Sequence, residues 1–405
     1  MNYEIVILGS DANAYYMARC AHEYTGLKPH LLAINPLSFT KYTNILTISY
    51  HDELWTEEGF LKIVNQYAEK SVYDKILLIS TNETYTEFIA KLNDKLNQKL
   101  FYNKISFDLL HTLTNKELFY KTYKKSVLKF PETFYFDCKK SKLLPSTISY
   151  PMVLKPANVV MYNHLKFEGK HKIYRIENEN ELKNTIDLIK NNGYTDRLII
   201  QEYIPGGDDC LFDSVVYVSK KHEVKLISFA QIGLQERTKT MVGNAAVLIN
   251  GFQTKTGNVE KMVKEIKAFM ESIDYSGFAE IDMKYDSRDN TFKVLEINAR
   301  QGRCSYYITP LGANLVETMV NDLILEKELE YRFLDEEVLL SFVPKGIIKK
   351  YITDEEFKHK ALELWKKKKI VKPMIYKKDR SFLRFLMLRK RLWNYYKEYK
   401  NSYWR

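Results

Sequence analysis

The sequence predicts an α/β N-terminal domain, a mixed α+β body and a basic helical C-terminal extension. Three observations carry this. Over residues 1–110 short apolar, β-rich runs alternate with helix-patterned stretches, which implies a parallel, doubly wound sheet. Residues 277–298 read as a β-hairpin with one apolar and one acidic face. Residues 331–405 hold 21 Lys+Arg against 9 Asp+Glu while residues 1–330 balance at 41 against 42, so the tail carries the whole positive excess.

A chain of 405 residues is long enough for two or three domains with real cores. No run approaches the roughly eighteen apolar residues of a membrane span. The start, MNYEIVILGSD, lacks the basic region and cleavage site of a signal peptide, so a cytoplasmic protein is expected. Cys20, Cys138, Cys210 and Cys304 are far apart and form no Cys-x-x-Cys pair, which argues against a zinc site or a disulfide framework.

In chain order, YEIVIL (3–8) is the first strand, and it ends in Gly9-Ser10-Asp11 before the helical NAYYMARCAHEY. That turn has one glycine of the dinucleotide fingerprint, so it reads as a plain βα turn. HLLAIN and KILLIS continue the strands, and TYTEFIAKLNDKL the helices. From about residue 112, LTNKELFYKTYKK reads as a helix that places Lys116 at its start, and a strand follows Pro131.

PMVLKP puts Lys155 at the end of an apolar strand. An ammonium there costs several kcal/mol unless it meets an anion, and phosphate is the natural partner. The polar stretch NVVMYNHLKFEGKHK reads as a mobile loop. Its Gly169, flanked by Lys166, Lys170 and Lys172, could close over a phosphate chain, or the lysines could simply be solvated. After a capped helix, RLIIQEYIPGGDD runs from a strand into a Pro-Gly-Gly hinge. Backbone groups at Tyr203 and Ile204 could read an adenine edge, and a carboxylate beyond the hinge a ribose; a plain acidic turn is the alternative.

In the hairpin, pairing Tyr285 with Thr291 across the five-residue turn DSRDN sets Glu280, Asp282, Glu296 and Asn298 on one face. Ala279, Ile281, Met283, Leu295 and Ile297 take the other. Crowded carboxylates repel unless a cation compensates, and hard oxygen ligands without His or Cys point to magnesium shared with nucleotide phosphates. An ordinary solvated acidic face is the competing reading.

The order Asn-Lys (115–116), VLKP, a Gly-containing loop, QEYIPGGD, and a Gly-x-x-x-x-Asp strand paired with Glu-Ile-Asn-x-Arg resembles the ATP-grasp carboxylate–amine ligases over about residues 110–325. KPAN, FEGKHKIYR and EINARQGRCSYYITPLGANL look most like the segments of peptidoglycan D-aspartate ligases. The resemblance implies a Rossmann-like pre-ATP-grasp domain at 1–112 and an ATP-grasp domain at 113–328. Its small subdomain would cover about 113–202, its large one 203–328, with the extension at 329–405.

It also implies that ATP and Mg2+, or Mn2+ in its place, are bound. Lys116 and Lys155 would contact phosphates, Gly169 and Lys172 would form the lid, Glu202, Tyr203 and Ile204 would hold adenine, and Asp208 or Asp209 the ribose. Asp213 is an alternative for the ribose. Asp282, Glu296 and Asn298 would carry the metal, with Glu280 as a neighbour. Arg300, Lys155 and Arg237 would stabilise phosphoryl transfer, and Arg300 and Arg303 would bind substrate. The implied substrates are D-aspartate, activated at its β-carboxylate, and the lysine amine of UDP-MurNAc-pentapeptide.

Another amino-acid or dipeptide ligase, an ATP-binding regulatory protein and a membrane or polyanion adaptor are the other function classes. The last rests on SFLRFLMLRKRLWNYYKEYKNSYWR, where Lys and Arg interleave with aromatics at helical spacing. Such a helix can pack its apolar stripe on the body or contact a membrane from the cytoplasmic face. No nucleic-acid motif is present, so no nucleic-acid partner is expected.

Overall fold

Short apolar runs entering capped helices build the first layer. The computed structural model describes residues 2–140, 144–157, 159–237, 243–255 and 257–401. Strand β1 (Tyr3–Leu8) passes through Gly9, at φ +113°, into α1 (Ala12–Thr25), whose first turn is capped by Asp11 accepting from the Ala14 N–H. Next come β2 (His30–Ala33), β3 (Thr47–Tyr50), α2 (Glu57–Lys70), β4 (Lys75–Ser80), α3 (Glu83–Leu92) and β5 (Leu100–Phe101). They form a parallel sheet in the order β3-β2-β1-β4-β5, the expected doubly wound arrangement. Strand β3 escapes the sequence pattern because it is a half-exposed edge of polar composition.

Helices α4 (Phe107–Thr114) and α5 (Lys116–Tyr123) lead to an antiparallel sheet of β6 (Thr133–Asp137), β7 (Met152–Pro156), β8 (Tyr174–Ile176) and β9 (Arg197–Glu202), ordered β6-β9-β7-β8. Helix α6 (Val159–His164) follows β7, and α7 (Glu179–Asn191) follows β8. The segment read as a mobile polar loop therefore contains a helix. Tyr162 is buried there, and its hydroxyl lies 2.8 Å from the His171 carbonyl and 2.7 Å from the Tyr174 hydroxyl. Two tyrosines anchor a stretch whose Asn, His and Lys content suggested none.

The third sheet has nine strands. It runs from β10 (Leu211–Val218), β11 (Val224–Ser228), β12 (Ala230–Gln235) and β13 (Ala245–Asn250) through α8 (Val259–Ser272) to the hairpin β14 (Gly277–Asp286) and β15 (Thr291–Asn298). After α9 (Leu315–Met319) it adds β16 (Arg332–Leu334), β17 (Val338–Ser341) and β18 (Ile370–Val371). The main path is β15-β14-β10-β12-β13-β17-β18, with β11 pairing β10 and β16. The C-terminal extension is thus more than helical, since three of its strands complete this sheet. Its helices are α10 (Lys345–Tyr351), α11 (Glu355–Lys366) and α12 (Phe382–Asn401).

Helix α8 lays Met262, Val263, Ile266, Phe269 and Met270 into the same core as Ala279, Ile281 and Met283 of β14. Each such side chain contributes roughly 1.5–3 kcal/mol by leaving water. That core fixes the apolar side of β14, so the acidic side must face away from α8. No described helix is long and apolar enough to cross a membrane.

Candidate active site

The acidic strip is built by pairing register. Asp286 pairs with Thr291 and Tyr285 with Phe292, so the turn has four residues and not the expected five. A β-bulge beside Asp282 then drops Leu295 from the ladder and sets Asp282 opposite Glu296 and Glu280 opposite Asn298. Without that bulge the acids of the two strands would lie on opposite faces. Leu295, assigned from the sequence to the apolar face, is half-buried, while Ala279, Ile281, Met283 and Ile297 are buried as expected.

On the other side of β14, β10 places Asp213 opposite Asp282. Asp213 is 2% exposed and accepts a hydrogen bond from the Tyr307 hydroxyl at 3.1 Å. It belongs to the acidic strip and not to the hinge, which corrects its reading as a ribose ligand. Burial first, then neighbouring carboxylates, pushes Asp213 and Asp282 well above the usual carboxylate range. Burial raises Glu280 as well, against the pull of Arg300. Glu296 goes the other way, to about 2, because the Lys116 ammonium lies 2.5 Å from its Oε2.

Local sequence explains where that ammonium comes from. Asn115 caps α5 by accepting from the Glu117 and Leu118 N–H groups, which fixes Lys116 as the first helical residue. The Tyr120 hydroxyl, one turn on, donates to the Leu295 carbonyl and holds α5 against β15. Lys155 on β7 is brought to the same place. Burial, then Lys116, lowers it to about 7, with Glu296 opposing and Lys172 adding to the fall. Lys172, C-terminal to the Gly169 turn (φ +75°), is exposed yet near enough for its charge to reach Lys155.

Asp282, Glu296 and Asn298, with the Asn298 Nδ2 3.2 Å from the Asp282 Oδ2, offer carboxylate and amide oxygens. Among the described residues no three His, Cys, Asp or Glu side chains make a metal cage by themselves. The set fits a hard divalent ion whose remaining ligands are phosphate and water oxygens.

The hinge differs from expectation in detail. The Glu202 carboxylate pairs with Lys293 at 2.7 Å and Arg288 at 2.6 Å and accepts the Glu132 N–H, so its side chain locks β9 to the hairpin. The Tyr203 N–H donates to the Pro151 carbonyl at 3.3 Å, and Arg175 and Lys284 both lie over its ring. Ile204 is buried. Asp208 accepts from the backbone and side-chain amides of Gln235, and Asp209 pairs with Lys255 at 2.5 Å. Both candidate ribose carboxylates therefore already have protein partners, supplied by strands and loops distant in sequence.

The arginines separate. Arg300 pairs with Glu83 in the first turn of α3 and borders a cleft of about 120 Å3 shared with Phe107, His111 and Thr114. It joins the N-terminal domain to the hairpin, and its buried Nε has no partner. Arg303 is buried against Glu236 with its guanidinium 3.9 Å over the Phe342 ring, and its Nε and one terminal nitrogen are unpaired. Arg237 lies over the rings of Tyr351 and Tyr399, so it stands with the C-terminal helices. Asn158 of the KPAN motif lies outside the described residues.

A family model for the ATP-grasp domain matches residues 113–302. The chain is also 31% identical over 414 residues to D-aspartate ligase of Enterococcus faecium (strain Aus0004), covering 98% of this chain and 96% of that protein. The chain belongs to the ATP-grasp ligases. Among solved structures, the ligase resembles L-amino acid ligase from Bacillus licheniformis at TM-score 0.55 and 19% identity, over 79% of this chain and 74% of that one. It also resembles N5-carboxyaminoimidazole ribonucleotide synthetase from Thermus thermophilus at TM-score 0.59 and 13% identity, over 83% and 82%. These two likenesses concern the fold alone.

The protein brings Lys116, Lys155, Asp282 and Glu296, two ammonium groups and two carboxylates, to one place. Sequence reasoning missed Glu83 and Glu236, the carboxylates that position Arg300 and Arg303, and Tyr307, which holds Asp213. Glu83 carried a weak signal as an acid in the first turn of a helix. Glu236 carried none, since its partner lies 67 residues away.

Proposed function

We propose that this ligase transfers the γ-phosphoryl group of ATP to the β-carboxylate of D-aspartate and couples the acyl phosphate to the lysine side-chain amine of UDP-MurNAc-pentapeptide. The observation that carries the substrate choice is the end-to-end similarity to D-aspartate ligase. Residues 113–328 would form the catalytic unit, preceded by the domain at 1–112.

Lys116 and Lys155 would bind the triphosphate, which gives the unpaired charge on β7 its counter-ion. Asp282, Glu296 and Asn298 would hold Mg2+, whose chemistry is to screen charge on the phosphate oxygens. Binding would draw Lys116 away from Glu296 toward phosphate, leaving the carboxylate free as a ligand. The turn at Gly169 with Lys172 would exclude water from the acyl phosphate. The hinge at Glu202, Tyr203 and Ile204 would receive the base. Arg300 and Arg303 would take the amino-acid carboxylates, each having unpaired buried N–H groups for the purpose.

Incubation with ATP, D-aspartate and UDP-MurNAc-pentapeptide should release phosphate and form a product heavier by one aspartyl residue. Activity with L-amino acids alone would make the protein a dipeptide or other amino-acid ligase. Failure to turn over ATP with any acid would favour a regulatory ATP-binding protein.

A further inference from the structure

Helix α12 has two different faces. Its inner stripe is pinned to the body. Arg384 is buried, pairs with Asp379 at 2.7 Å and donates to the Phe39 carbonyl. The Tyr395 hydroxyl donates to Glu236 at 3.0 Å and the Tyr399 hydroxyl to the Gln235 carbonyl at 2.6 Å. With that stripe fixed, the helix cannot roll to hide the other.

The outer stripe presents Phe382 (74% exposed), Leu383, Phe385, Leu386, Trp393 (76%) and Tyr396 to solvent. Seven of the twenty large hydrophobics exposed among the described residues fall between Ile375 and Tyr396, so this is a patch and not scatter. It continues into a cleft of about 470 Å3 bordered by Ile375, Phe382 and Phe385 together with Lys377 and Arg380.

Arg389, Lys390, Lys397 and Lys400 interleave with the aromatics and are exposed, as are Lys377, Lys378 and Arg380. No acidic side chain is exposed between residues 375 and 401: Asp379 is buried against Arg384, and Glu398 is half-buried. A cationic strip studded with Phe, Leu and Trp along about 30 Å of helix matches an interface that is anionic at the surface and apolar just beneath. A polynucleotide would use the cations and flat rings but leave Leu383 and Leu386 in water.

We propose that the outer face of α12 docks in the plane of an anionic phospholipid bilayer, with Phe382 and Trp393 inserted and the lysines and arginines at the headgroups. This does not rest on the choice of ligase substrate. Because the opposite stripe of the same helix holds Glu236, the partner of Arg303, docking would set the substrate end of the ligase beside the membrane.

The test is flotation of the full-length protein with vesicles of phosphatidylcholine alone or mixed with phosphatidylglycerol. Binding should be at least about tenfold stronger to the mixed vesicles and should fall with rising salt. The double variant Phe382→Ser, Trp393→Ser should lose binding while keeping its thermal midpoint and ATP turnover. Equal binding to both vesicles, binding to neither, or undiminished binding by the double variant would overturn the proposal. So would a concentration-dependent dimer that the double variant abolishes, or RNA binding that outcompetes the mixed vesicles.

Discussion

Lys155 carries a charge that the fold disfavours. Burial first, then Lys116 and Lys172, brings it to about 7, well below the value of about 10.4 in an unfolded chain. The unfolded state therefore binds more protons between these values, and this residue's destabilising effect, full below pH 7, is relieved as the pH rises toward 10. A triphosphate bound beside Lys155 would restore the charge. Calorimetry of ATP binding at pH 8 in buffers of different ionisation heat should show uptake of about one proton. Lys155→Met should abolish that uptake and weaken binding; unchanged uptake would remove Lys155 from the phosphate site. Arg303 makes a second case. Replacing its buried partner, Glu236→Leu, leaves an uncompensated guanidinium and should cost about 3–5 kcal/mol in urea denaturation.

At the scale of elements, the hinge is a charge lock. Asp286 is buried and pairs with Arg288 at 2.5 Å and Lys293 at 2.8 Å, and Glu202 shares both cations. Arg288 chiefly holds the Asp286 carboxyl far below its usual range, and the two cations hold Glu202 down against burial. Both folded values lie below the unfolded ones, so their stabilisation is present above about pH 4 and is lost as pH falls through the folded values. Asp286→Asn should lower stability at pH 7 and flatten its pH dependence below about pH 5, read from urea midpoints across pH. An unchanged slope would mean the lock contributes nothing. This element also shows how legibility divides. Alternation placed four polar residues on one hairpin face, but the bulge that keeps them together depends on how β15 pairs with β14, and the role of Glu202 as a lock depends on Lys293, 91 residues away.

Across the whole molecule, the C-terminal segment completes the third sheet and ties it to the first. Arg384 and Asp379 clamp the loop at Phe39 and Asn44, while Tyr395 and Tyr399 reach the end of β12. Deleting residues 382–405 should lower the thermal midpoint and raise the KM for the amino acid, because Glu236 loses a partner, and leave ATP affinity little changed. An unaltered KM with a lower midpoint would reduce α12 to a structural brace.

By itself, the sequence determined the alternating α/β start, the order of phosphate, hinge and carboxylate motifs and the basic end of the chain. These follow from period, capping and composition, which are local. Tertiary structure decided the rest. It gave Asp208 and Asp209 to Gln235 and Lys255, moved Asp213 into the acidic strip, drew Arg237 onto Tyr351 and Tyr399, and paired Arg300 and Arg303 with Glu83 and Glu236. The reason is common to all of them. A buried charge must find a counter-charge or hydrogen bond, and which one it finds depends on strands and helices that meet only when the chain folds.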